Sequence, residues 1–61
     1  MISPSIISQK SKKTNYVRLY INNNNKYVVE SYIHGSFSKV EYTYKAKAEA
    51  AYKNEYDYLM N

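Results

Sequence analysis

The chain has no cysteine and no tryptophan, and only one glycine, one proline and one histidine among 61 residues. Without cysteine there is neither a disulfide nor a thiolate metal site. One histidine among scattered carboxylates does not assemble a zinc site, so no metal and no cofactor are expected. The single glycine leaves no phosphate-cradling loop, and neither GxSxG nor HExxH occurs. His34 is the one side chain whose ordinary titration lies near neutrality. Glu30, four residues earlier on one strand face, is the partner it would need, but a lone histidine of this kind reads better as a surface residue. The chain is therefore expected to be non-enzymatic. No apolar run approaches the roughly eighteen residues that cross a bilayer. The opening MISPSIISQKSKK lacks a basic segment ahead of a long apolar core, so no secretory signal is expected and the location is read as cytoplasmic. A chain this short makes one domain at most and buries only about 60 % of its unfolded surface. Lacking disulfide or metal staples, it belongs to a size class that often associates with itself or a partner.

Tyrosine is abundant: nine of the ten aromatic side chains are Tyr and the other is Phe37. A/T-rich codon usage favours Tyr, Asn, Lys and Ile and is one source of this bias. The other is function, because Tyr buries a ring while keeping a hydroxyl wet and is enriched in interfaces. The net charge is +4, from nine basic and five acidic side chains. That balance admits nucleic acid or an acidic protein as partner without selecting either.

The segment Tyr44 to Met60, YKAKAEAAYKNEYDYLM, is rich in helix formers and uninterrupted by Gly or Pro. Ala48, Ala51, Tyr52, Glu55, Tyr56 and Leu59 recur at spacings of three and four, which stacks them on one side of a helix over 46–60. Upstream, NYVRLYIN (15–22) alternates, with Val17, Leu19 and Ile21 on one side and Tyr16, Arg18 and Tyr20 on the other. The asparagine run 22–25 reads as a hairpin loop. KYVVESYIH (26–34) is a second strand; placing Tyr27, Val29, Ser31 and Ile33 inward keeps Glu30 out of the core. Gly35 and Ser36 make a turn, and FSKVEYTY (37–44) is a third strand with Val40, Tyr42 and Tyr44 inward. Leu19, Val29, Ile33, Val40, Ala51 and Leu59 are the expected core. Residues 1–14, with four serines among the first eleven positions and Lys10, Lys12 and Lys13 at the far end, read as a flexible basic tail, an arm able to touch phosphate or an acidic partner. Ile6 and Ile7 alternatively dock as a short edge segment. The expected fold is α+β: a three-stranded antiparallel meander packed on one C-terminal helix (β-β-β-α), formed by residues 15–61. One helix covers one sheet face. The other would present Tyr16, Arg18, Tyr20, Val28, Glu30, Tyr32, His34, Phe37, Lys39, Glu41 and Thr43, more exposed rings than an idle surface usually carries.

Two pieces of this layout, Lys26-Tyr27-Val28-Val29-Glu30 and Ala48-Glu49-Ala50-Ala51-Tyr52, resemble the AP2-type fold of plant AP2 domains and of the arm-binding N-terminal domains of tyrosine-recombinase integrases. The resemblance spans residues 16–60. It departs at Ala46, where those families place a capping threonine, and in having fewer Arg and no Trp on the strands. In those families the three-stranded sheet enters the DNA major groove. Carried over by position, that implies contacts from Arg18, Tyr20, Lys26, Tyr32 and Lys39, while Glu30 and Glu41 on the same face repel phosphate. The competing expectation is a small phage-type protein whose Tyr-rich face, with His34 and Phe37 added to the set above, binds and modulates a host protein. A homodimer joined through the open sheet face is a third reading.

Overall fold

The computed structural model describes residues 5–60. Its elements are β1 (Ser5–Lys12), β2 (Asn15–Ile21), β3 (Tyr27–Ile33), β4 (Ser36–Tyr42) and α1 (Lys45–Met60). The strands form one antiparallel sheet in the order β1-β2-β3-β4, and α1 packs on one face, chiefly on β2 and β3. The α+β class and the C-terminal helix match the sequence reading. The strand count does not: there are four strands rather than three.

The correction falls on the segment read as a tail. Residues 5–12 form a full edge strand paired to β2, with partners running from Ser5↔Ile21 to Lys12↔Asn15. Serine and lysine are poor strand formers, but β1 lies on an edge and has little to bury, so pairing to the strongly alternating β2 carries it. Residues 1–4 of the expected tail lie outside the described residues. The pairing is interrupted once, between Ile6 and Ser8, where Ile7 is the extra residue of a bulge.

The remaining strands follow their alternation. Val17 and Leu19 of β2, and Val29 and Ile33 of β3, are buried with Ala48 and Leu59 of α1 in one cluster, flanked by Tyr27, Tyr42, Ala51 and Tyr52. Ser31 is buried on the same face. Of the expected core, Leu19, Val29, Ile33 and Leu59 are buried and Ala51 is half-buried, whereas Val40 is 45 % exposed. Val40 does face the helix side, being paired with Val29, but α1 packs chiefly on β2 and β3 and leaves this part of β4 open. The helix has no acidic residue in its first turn and no basic residue in its last, so its dipole is uncompensated and packing must hold it.

The turns are specified locally. Asn22 Oδ1 accepts from the backbone N–H of Asn24 (2.9 Å) and of Lys26 (3.1 Å), and Asn25 takes a φ of 61°, conformations that asparagine tolerates well. The β3–β4 turn is His34–Gly35, one residue earlier than expected, with φ of 53° and 82°. Positive φ at both central residues is the two-residue hairpin turn that matches strand twist. The backbone N–H of His34 donates to Asn15 Oδ1 (3.1 Å), which ties this turn to the start of β2. No helix among the described residues is long and apolar enough to cross a membrane.

Candidate functional site: the open sheet face

The face turned away from α1 is built from cross-strand rows, because paired residues share a face. One row is Ser11–Tyr16–Tyr32–Phe37, the next Gln9–Arg18–Glu30–Lys39, and the third Ile6–Tyr20–Val28–Glu41. The first is aromatic, the second alternates charge, and the third surrounds a buried valine.

Glu30 is the centre of this surface. The Tyr16 hydroxyl donates to its Oε2 (2.8 Å) and the Tyr20 hydroxyl to its Oε1 (3.2 Å). Arg18 Nη1 lies 3.7 Å from Oε2, an ion pair longer than a hydrogen bond. The Arg18 guanidinium also sits over the Tyr16 ring, 4.5 Å from its centroid, within the range of a cation–π contact. Tyr16 in turn stacks on Tyr32, with centroids 6.3 Å apart and planes 25° apart. The Glu30 side chain is only 15 % exposed, so most of its hydrogen-bonding capacity faces protein. Arg18 Nε is buried without an acceptor among the described residues. Ile6, Arg18, Tyr20 and Glu30 line a shallow hollow of about 350 Å³.

Charge on this face is balanced. Arg18 and Lys39 are the cross-strand neighbours of Glu30, while Asn22 Nδ2 donates to Glu41 Oε2 (3.2 Å) and Lys26 Nζ to Thr43 Oγ1 (3.4 Å). Phe37, 60 % exposed, is the open apolar end of the aromatic row.

The structure brings Arg18, Tyr20, Tyr32, Phe37 and Lys39 together on this face and sets Lys26 at its margin. It separates His34 from them. With φ of 53° in the turn, His34 leaves the strand alternation; its ring meets Tyr58 of α1 edge-on at 6.0 Å and lines a second hollow with Lys12, Lys13, Asn15 and Leu59. The alternative pairing of His34 with Glu30 is not made among the described residues, and His34 is exposed, in keeping with its reading as a surface residue. Two further members stand outside the candidate contacts, Tyr16 and Ile6. Tyr16 was legible from its alternation with Arg18 and Tyr20, but its bond to Glu30 depends on the β2–β3 register. Ile6 joins only through the pairing of β1.

The Tyr16 hydroxyl is held above its ordinary value of 10.0, first because it donates to the Glu30 carboxylate, then by burial and by that carboxylate's charge. Tyr52 is raised in the same direction, by burial first. The folded state keeps both protons more tightly than the unfolded chain does. Their contribution is therefore complete below the unfolded value of 10.0 and is lost as pH rises through the higher folded values. Stability is expected to fall above about pH 10. Tyr16→Phe, having no proton to lose there, should fall less steeply; parallel urea midpoints for the two proteins across that range would show that Tyr16 is not coupled to folding.

Compared with known protein families, with curated proteins and with solved structures, the chain finds no match in any of the three.

Proposed function

We propose that this chain is a small, non-enzymatic protein-binding module that docks a partner protein on its open sheet face. The observation that carries the reading is the engagement of Arg18. Its charge is met by Glu30, and Glu30 itself is fixed by two tyrosine hydroxyls. Phosphate recognition depends on cations that are free to replace counterions, each contributing about 0.9 to the slope of log affinity against log salt. A face on which Arg18, Lys26 and Lys39 are interleaved with Glu30 and Glu41 has few of these to offer. What it does present is a stacked pair of tyrosines, an exposed phenylalanine and an arginine held in place, the residue types that anchor protein interfaces. The network also holds Tyr16, Tyr20 and Arg18 in place before a partner arrives, which lowers the ordering cost of association.

Tethered wild type and Phe37→Ser are compared as bait in lysate of the native host, each with and without nuclease treatment. The expected result is a protein retained by wild type after nuclease, then purified and shown to bind wild type directly but Phe37→Ser at least about tenfold more weakly. Retention that disappears with nuclease, together with a salt-sensitive shift of duplex DNA by the purified protein, would replace this reading with a nucleic-acid one. In that case Glu30→Gln should strengthen binding, whereas for a protein partner it should be neutral or harmful.

A further inference from the structure

The two edges of the sheet differ. The β1 edge carries a bulge at Ile7 and the lysines Lys10 and Lys12, devices that discourage another strand from adding on. The β4 edge has neither a bulge nor a proline, and its one lysine, Lys39, has Glu41 two residues on. Its pairing with β3 is regular from Tyr27↔Tyr42 to Ile33↔Ser36, and every residue from Ser36 to Glu41 is exposed. Because His34–Gly35 is a two-residue turn, Ile33 and Ser36 form a hydrogen-bonded pair. Bonded and non-bonded pairs alternate from there, so Ser36, Ser38, Val40 and Tyr42 aim their backbone groups at β3. Phe37, Lys39, Glu41 and Thr43 aim theirs outward, and no hydrogen bond among the described residues reaches those outward groups.

We propose that β4 pairs antiparallel with β4 of a second copy of this chain about a two-fold axis at Val40, joining the two sheets edge to edge. The side-chain charges select that register. With the axis at Val40, Lys39 of each copy stands opposite Glu41 of the other, and all four residues are outward-bonding, as the ladder requires. Moving the axis one residue to Lys39 or to Glu41 sets like charges directly opposite one another, which is unfavourable. On the helix side the same register brings the two Val40 side chains together in a non-bonded pair, where side chains approach most closely. This is the apolar residue that α1 leaves 45 % exposed. Phe37 faces Thr43 across the seam, so the two open faces become one surface. The interface is narrow and belongs with the weaker class of associations, so its occupancy depends on concentration.

Sedimentation equilibrium over about a hundredfold range of protein concentration tests the pairing, with no partner present. Wild type should move from monomer toward dimer mass as concentration rises. Lys39→Glu and Glu41→Lys should each weaken self-association at least about tenfold by opposing like charges. An equimolar mixture of the two should recover it as a heterodimer, because their edges are complementary. Lys39→Glu also sets a carboxylate beside Glu30, so folding is checked by far-ultraviolet circular dichroism. Glu41→Pro supplies an independent arm: it removes an outward N–H and no bond to β3, and should abolish dimerisation while leaving the spectrum unchanged. A wild type that stays monomeric, a dimer indifferent to Glu41→Lys and Glu41→Pro, or a mixture of folded single variants that fails to associate would overturn the proposal. None of these outcomes depends on whether the open face binds another protein.

Discussion

Leu19→Ala should lower the thermal midpoint by at least about 10 °C. Leu19 is 2 % exposed and lies in the buried cluster with Val17, Val29, Ile33, Ala48 and Leu59. Truncating a packed leucine loses about 2–5 kcal/mol, because its transfer free energy is lost and a cavity is left behind. At roughly 0.05–0.15 kcal/mol per residue, a chain of this length has only about 3–9 kcal/mol to lose. There is no disulfide to limit the unfolded chain. Val40→Ala is the internal control: it lies in the same cross-strand row as Leu19 but is half exposed, and should change stability by no more than about 0.5 kcal/mol. Thermal melts followed by circular dichroism distinguish the two. If Leu19→Ala melts within a degree or two of wild type, as Val40→Ala should, Leu19 is not in the packed core.

Deleting residues 1–12 should be as damaging, and for a different reason. The loss is of the ladder that closes the outer edge of β2, each hydrogen bond contributing roughly 1 kcal/mol net. Val17 and Leu19 sit on that newly exposed strand. The deletion also removes Ile6 from the open face and Lys10 from its place over the Tyr56 ring, 5.8 Å from the centroid. A three-stranded remnant with β2 as an unprotected edge should be unfolded or aggregated at temperatures where the full chain is native. A remnant that melts within a few degrees of the full chain would show that β1 is only loosely attached.

The contrast between β1 and the rest of the sheet shows where a sequence of this kind is readable. In β2 the apolar and polar residues alternate with period two, and in β3 the cost of burying Glu30 selects the phase, so the sequence alone assigns the buried faces. In α1 the spacing of Ala48, Ala51, Tyr52, Tyr56 and Leu59 did the same. SIISQKSK contains no such alternation, and its strand is created by the neighbour it pairs with rather than by its own composition. The burial of Val40 was misjudged because alternation tells which face a residue is on but not how far the covering helix extends. At the candidate site, Arg18, Tyr20, Tyr32, Phe37 and Lys39 followed from the same alternation. Glu30 was legible only as a charge kept out of the core. That it ties Tyr16, Arg18 and Tyr20 together follows from the register between strands, a quantity no single strand contains. His34 was lost by a one-residue difference in turn position, enough to send its ring to the helix side.

The bulge at Ile7 has a bearing on chain length. Beyond it, Gln9 and Ser11 share the open face with Arg18 and Tyr16, and before it Ile6 shares that face with Tyr20. Strict alternation back from Gln9 would put Ile6 on the helix side; the extra residue restores it. Ile7 therefore acts as a spacer whose presence sets the parity of the preceding segment. Because Ile6 and Ile7 are the same residue type, removing either one would leave an isoleucine opposite Tyr20 and every later pair unchanged. Of all points in the sheet, this is where the chain can differ by one residue without any side chain changing face, so insertions and deletions among related chains should collect here while the frame of β2, β3 and β4 stays fixed.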